Sequence, residues 1–194
     1  MNNFSSFSFI FVGDTHGYLN DFKKQKEIIE KVQPEFVLVE LLQDVILDTP
    51  EKLHSFSKEK KFKDLKPLID YSSEKNIKLI GLDLKDFGLH KELQQAIFKG
   101  IITTDLQQQQ LDKILKKRQY HHYQLILKYA SLTSKPLVIL LGTWHLQKKS
   151  ILMNRIPNYL VIYPVNEKGI ILLEPPLIPQ RITYVEKSKY DYLS

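Results

Sequence analysis

Phe7 to Val12 is a short apolar run, rich in β-forming residues, that stops at Gly13 and predicts a buried strand. Leu19, Phe22, Ile29 and Val32 then recur at helical spacing, while Lys23, Lys24, Lys26, Glu27 and Glu30 fall largely on the other side. Asn20 and Asp21 stand where a helix start favours capping and acidic side chains, and Pro34 marks the end. A second apolar run, FVLVELL from Phe36 to Leu42, predicts a second buried strand. Strand, helix and strand in that order are the pattern of a parallel βαβ unit.

Residues 51–68 carry six lysines against Glu51, Glu59 and Asp64 and read as a solvated helix or loop. Pro67 to Ser73 predicts a short helix and Ile77 to Leu82 a third strand. A break at Gly100 to Thr104 leads into a long helix over 105–133, and Pro136 precedes a fourth strand, PLVILLG. Tyr159 to Tyr163 and Ile170 to Leu173 predict a closing hairpin around Asn-Glu-Lys-Gly. The stretch 175–194, with Pro175, Pro176 and Pro179, is expected to wrap the surface. The fold class is therefore α/β, with a central, mainly parallel β-sheet flanked by helices in a single domain over 1–194.

Composition narrows the partners. The 194 residues are 43% hydrophobic and 26% charged, ordinary for a globular chain and wrong for a disordered one. Lys and Arg number 28 against 22 Asp and Glu, a net charge of +6, which allows an anionic ligand without requiring nucleic acid. There is no cysteine, so disulfides, thiolate metal sites and thiol nucleophiles are excluded. The opening MNNFSSFSFIFVGD lacks a basic n-region and reads as a strand, not a signal peptide. No apolar run approaches the ~20 residues of a membrane helix. The expected setting is cytoplasmic, with neither membrane nor nucleic acid as partner.

A buried parallel strand should be almost wholly apolar, so polar residues at strand ends are informative, and open α/β sheets place their sites there. Strand one ends in Gly13-Asp14-Thr15-His16-Gly17, strand two contains Glu40, strand three ends in Asp83, and strand four ends in Gly142-Thr143-Trp144-His145. Parallel order brings all four ends to one edge. Two of them share the pattern Gly-x-x-His, in which the glycine turns the chain and the histidine projects over the edge. Each such histidine can instead be a structural imidazole. A carboxylate within FVLVELL should not be buried without a partner, so Glu40 is either at the wet end of its strand or a ligand or base. Asp83 can be a turn former or part of the site.

On the long helix, Leu111, Ile114, Leu115, Leu125, Ile126 and Tyr129 make an apolar stripe that continues through Arg118 and His122. An arginine there either snorkels to the edge or needs a partner or an anion. His122 fits a core or boundary histidine, and Lys113, Lys116 and Lys117 a solvated face.

Together these residues resemble the TraB/PrgY–Tiki–erythromycin esterase-like superfamily. FVGDTHG resembles its first Gly-x-x-His, PEFVLVEL its strand carrying the glutamate at Glu40, KKRQYHHYQLILKYA its helix with an inward arginine at Arg118, and PLVILLGTWHL its second Gly-x-x-His. The matched segments cover about half of the chain. The resemblance implies two related βα halves with a site between them. Members have been described as metalloproteases, metal-free esterases, haem-binding uptake proteins and pheromone-shutdown factors. FVGDTHGYLNDF also resembles the opening of calcineurin-like metallophosphoesterases, with Asp14 and His16 as metal ligands, although the later motifs of that family are missing.

The reading this supports is a hydrolase of peptidase or esterase type. His16, Glu40 and His145 would converge within about 8 Å of a common point, a spacing set by a shared ligand or water. Glu40 and one histidine would activate a water, with or without a divalent Zn, Mn or Co ion. Arg118 would point into the site, contact Glu40, Asp83 or an anion, and stabilise an oxyanion. Asp14, Asp83 and His122 are second-tier candidates. The expected partner is a small-molecule or peptide substrate with an anionic group, and a homodimer is one open assembly state. A non-catalytic member holding a small anion or haem is the alternative from another class. If Arg118 is only structural, Arg118→Met should be near neutral, provided that no partner is stranded.

Overall fold

The computed structural model describes residues 4–14, 21–98, 105–146, 150–165 and 183–188. One seven-stranded sheet organises them, built from β1 (Phe9–Asp14), β2 (Phe36–Val39), β3 (Ile46–Leu47), β4 (Lys78–Gly81), β5 (Leu137–Gly142), β6 (Tyr159–Val165) and β7 (Thr183–Ser188). The helices are α1 (Asp21–Val32), α2 (Pro50–Phe56), α3 (Lys66–Lys75), α4 (Lys91–Phe98) and α5 (Asp105–Ala130). Strand order is β3-β4-β2-β5-β1-β6-β7. The five inner strands are parallel, and β3 and β7 close the two edges antiparallel. The α/β class expected from the hydrophobic pattern is the class observed.

Side-chain alternation explains the layers. Ile10, Val12, Val37, Val39, Leu79, Val138 and Leu140 face one way and bury Ile28 and Ile29 of α1, Leu53 of α2 and Leu68 and Ile69 of α3. Phe9, Phe11, Phe36, Leu38, Ile80, Ile139 and Leu141 face the other way, against Ile126 and Tyr129 of α5 and Leu152, Met153 and Ile156. Strands covered on both faces have no polar side to show, hence their near-continuous apolar runs. Among the described residues, no helix is long and apolar enough to cross a membrane.

Several boundaries differ from the expectations. The strand expected over Phe36 to Leu42 stops at Val39, and Glu40–Leu42 form a 3-10 turn. Hydropathy runs on through Leu41 and Leu42, but Gln43 adopts φ 53°, which reverses the chain. The short helix covers Lys66–Lys75, a turn longer than expected, and ends where Asn76 takes the left-handed conformation. The long helix ends at Ala130. The predicted hairpin is corrected too: β6 pairs with Thr183–Ser188, and Ile170 to Leu173 lie outside the described residues. Part of the stretch expected to wrap the surface is thus an edge strand. Its sequence, TYVEKS, is mostly polar, as suits an edge, and carries little strand signal. The two-residue β3 and the helix α4 were not expected at all.

The turn after β2 sits where it does because of one glycine. The Gly81 N–H donates to the Val45 carbonyl at 2.6 Å, and the Asp83 N–H to the Gln43 carbonyl at 3.1 Å. A Cβ on Gly81 would lie 2.1 Å from the Gln43 oxygen and 2.7 Å from the Val45 oxygen. The chain leaving Glu40 therefore crosses the end of β4 at a distance only glycine permits. Both obstructing atoms are backbone, so Gly81→Ala must force the segments apart. We expect a loss of about 1–3 kcal/mol in urea unfolding, together with weakened Glu40 contacts. A variant within ~0.5 kcal/mol of wild type would show that the crossing does not hold the turn.

Candidate active site

The parallel register delivers the strand ends to one edge in the order β4, β2, β5, β1. Asp83 follows β4, Glu40 follows β2, Gly142 closes β5, and Asp14 closes β1 opposite Gly142. The second Gly-x-x-His continues as a 3-10 turn, Thr143–Leu146, which carries His145. Tyr163 of β6 fastens that turn by donating its hydroxyl to the Leu146 carbonyl at 2.9 Å. From above, α5 supplies Arg118 and, one turn on, His122. Residues four apart share a helix face, so both side chains descend on the same strand ends.

Glu40 is 3% exposed and fully engaged. Its Oε2 accepts the Gly142 N–H at 2.6 Å, its Oε1 accepts Arg118 Nη2 at 2.6 Å, and His145 Nε2 lies 3.2 Å from the same Oε1. Asp83 is 0% exposed. Its Oδ1 accepts the Leu84 N–H at 2.7 Å and Arg118 Nε at 3.1 Å. Its Oδ2 accepts Arg118 Nε at 2.9 Å and also Arg118 Nη2. His122 Nε2 lies 3.3 Å from Asp83 Oδ2, within ion-pair reach but off the line of a good hydrogen bond. The two imidazoles meet edge to face, centroids 4.9 Å apart at 73°. The five side chains form a closed circuit: His145, Glu40, Arg118, Asp83, His122, and back to His145.

Phe87 covers this circuit, its ring 5.1 Å from the Arg118 guanidinium carbon. It does so from a backbone with φ 55°, between Asp86 at 51° and Gly88 at 69°. A left-handed phenylalanine is an outlier, and such residues persist only where the surroundings hold them. Here the Asp86 N–H donates to the Gln43 side-chain oxygen at 2.8 Å.

Burial sets the electrostatics. For Glu40, desolvation pushes towards the neutral acid, but the contact with His145 and the charge of Arg118 outweigh it; the carboxylate stays far below its usual range. Asp83 is likewise lowered, with desolvation overcome by His122 and Arg118. Arg118 is raised, because its two carboxylates outweigh its own burial. His122 goes the other way. Burial, the largest effect, lowers its pKa despite the adjacent Asp83, so the ring is held neutral. Arg118 thus faces two ionised carboxylates with one guanidinium.

Of the sequence candidates, Glu40, Asp83, Arg118, His122 and His145 come together. Asp14 is half-buried at the same edge, and His16 lies outside the described residues. His122, a second-tier candidate that also fitted a core histidine, is wholly buried and joined to the cluster. Phe87, Gln43 and the Gly142 N–H were not anticipated. A divalent ion does not fit the donors described here. Both Glu40 oxygens already accept bonds, and the guanidinium fills the space between the carboxylates where a cation would go. Among the described residues, no group of three or more His, Asp or Glu side chains is placed to hold a metal.

No family model matches the sequence, and no curated protein matches it. Among solved structures the chain is similar to RRSP, a MARTX toxin effector domain from Vibrio vulnificus CMCP6, with a TM-score of 0.51 and 15% identity. The match covers 86% of this chain and 35% of that one, so the chain spans about a third of its length. The likeness is one of fold.

Two predictions follow from the geometry. Arg118→Met strands both Glu40 and Asp83, so the near-neutral outcome conditional on an unstranded partner does not apply. We expect a loss of about 3–5 kcal/mol at pH 7, shrinking as acid neutralises the stranded carboxylates. A variant as stable as wild type at pH 7 in urea titrations would show that the cluster contributes nothing to folding. The second concerns wild-type stability against pH. A lowered folded pKa means that the unfolded chain binds the proton more readily, so stability is present above the unfolded value and lost on acidification. His122 therefore produces a first decline below about 6.5, and Glu40 with Asp83 a second below about 4.5. His122→Phe should flatten the first limb and keep the second. Identical urea midpoints from pH 7 to 5 in wild type would contradict a buried neutral His122.

Proposed function

We propose that this chain is a hydrolase of esters or peptide amides, built on a site of the TraB–Tiki–erythromycin esterase-like kind that the sequence motifs resemble. The observation that carries the reading is the pairing of His145 with Glu40, 3.2 Å apart, at the C-terminal edge of a parallel sheet. Glu40 is fastened by Arg118 and the Gly142 N–H.

The environment divides the labour. A carboxylate held this firmly ionised is a weak base, so Glu40 does not take the proton itself. It orients the His145 imidazole and stabilises its cation, as a carboxylate does beside a catalytic histidine. His145 takes a proton from the attacking water, whose oxygen adds to the substrate carbonyl. The proton then passes to the leaving alkoxide or amine. Arg118 uses Nε and Nη2 on the carboxylates and keeps Nη1, on a side chain 17% exposed, for the negative charge that develops on the carbonyl oxygen. His16 belongs to the same motif set.

The test is hydrolysis of a panel of aryl esters, lactones and unstructured peptides by the wild type, His145→Gln and Glu40→Gln, each with and without chelator. We expect His145→Gln to lower kcat/KM by about 10²–10⁴-fold, and chelator to leave the wild-type rate unchanged. Equal rates in wild type and both variants would remove the assigned roles. Complete loss of wild-type activity with chelator, restored by Zn, Mn or Co, would return the metal-dependent reading.

A further inference from the structure

Packing does not explain His122. Its side chain is 0% exposed, its Nδ1 has no hydrogen-bond partner among the described residues, and its Nε2 approaches Asp83 Oδ2 at 3.3 Å without the alignment of a good hydrogen bond. A buried polar atom left so costs about 1–3 kcal/mol, which leucine or phenylalanine would avoid in the same space. The ring reaches no solvent, so it cannot touch a substrate. Whatever it does, it does through the groups it meets, and among the described residues these include Asp83 Oδ2 at 3.3 Å and the His145 ring at 4.9 Å between centroids.

We propose that His122 is a positioning residue for His145, its ring braced by Asp83 so that its edge fixes the plane of the His145 imidazole. The constraint on His145 then comes from two directions. Glu40 holds Nε2 and removes translation along that bond. A single such contact still lets the ring rock about its χ2 axis, a broad torsion for histidine. The His122 ring, 73° to the His145 plane, blocks that motion on one side. Asp83 supplies the brace because Arg118 immobilises it: the carboxylate that accepts the guanidinium also faces His122. Arg118 and His122 lie one turn apart on α5, so a single docking of the helix sets both. Arg118 thereby fixes the Glu40 end of His145 directly and the His122 end through Asp83.

Only the kinetic consequence of this inference rests on the hydrolase reading; the orientation of His145 does not. The primary readout is therefore the ring-nitrogen ¹H–¹⁵N NMR spectrum of His145 in the substrate-free protein, assigned by its loss in His145→Gln. The wild type should show one tautomer. His122→Phe keeps a ring in place and leaves Asp83 paired with Arg118; it should shift His145 towards averaged tautomers while the fold, read by circular dichroism, is kept. His122→Gln retains a donor towards Asp83 but presents no ring edge to His145, so it too should lose the single-tautomer spectrum; ring and brace are both required. Asp83→Asn, which loosens the brace without touching either ring, should reproduce the His122→Phe effect in a milder form and carries the test if His122→Phe does not fold. In the ester assay, His122→Phe should lower kcat on the order of tenfold to a hundredfold with KM unchanged. A folded His122→Phe with the wild-type His145 spectrum would overturn the proposal. Altered His145 signals in a protein whose wild type hydrolyses nothing would uphold the positioning role and dismiss the hydrolase reading alone.

Discussion

One guanidinium between two buried carboxylates is the constraint on which the rest of the site depends. Glu40 and Asp83 end neighbouring parallel strands, β2 and β4, and both are removed from water. Two like charges at adjacent strand ends, neither hydrated, are an arrangement that folding cannot tolerate uncompensated. Arg118 compensates both with one planar group, giving Nε and Nη2 to Asp83 and Nη2 to Glu40. Lysine, a single point charge on a flexible stem, could not reproduce that geometry. The consequence extends to α5 as a whole. An apolar stripe allows a helix to shift along a sheet at modest cost, whereas an arginine locked to two fixed carboxylates does not. Gln119 adds a polar pin by accepting the Ile151 N–H at 2.8 Å.

The segment 84–88 shows what is spent to keep that ion pair dry. Asp86 and Phe87 both sit in the left-handed region, at about 1–2 kcal/mol each for residues with a Cβ, and Gly88 completes the turn. Two contacts offset the cost. The Asp86 N–H binds the side chain of Gln43, itself at positive φ and at the end of the Glu40 turn, and the Phe87 ring lies over the guanidinium. An arginine face covered by an aromatic ring is attracted to it and shielded from water, which strengthens its pairing with the carboxylates. The close crossing at Gly81 and the strained turn at Phe87 thus serve one object from opposite sides.

What the sequence discloses follows from how costly each residue would be in the wrong place. The inner strands are legible because burial on both faces leaves no polar period, and Glu40 and Arg118 stand out because a charge inside an apolar pattern demands a partner. The partners are not legible in the same way. The helical stripe shows that Arg118 and His122 share a face, but which strand end lies beneath depends on sheet order, and β5 inserts between β2 and β1 without a local signal. The end of β2 is misjudged for a related reason: Leu41 and Leu42 look like strand, while the backbone of Gln43 decides the turn. The edge strand at Thr183–Ser188 and the two-residue β3 escape notice because edges are short or polar. Phe87 could not be foreseen, since nothing in Lys-Asp-Phe-Gly marks a left-handed phenylalanine.

The Gly-x-x-His pattern takes on a fuller meaning at Gly142. Read alone, its glycine is there to turn the chain. In the structure its N–H also donates to Glu40 Oε2 at 2.6 Å, so the glycine that ends β5 holds the carboxylate and the histidine three residues later receives the other oxygen's hold. One short motif therefore contacts both oxygens of the same glutamate. That arrangement explains why a buried glutamate on β2 and a Gly-x-x-His on β5 belong together: β5 lies beside β2, and a three-residue step is what carries the chain from the N–H of Gly142 across the carboxylate to the imidazole. The backbone N–H of Gly142 and the imidazole of His145 thus hold opposite oxygens of one carboxylate, which ties the motif to Glu40.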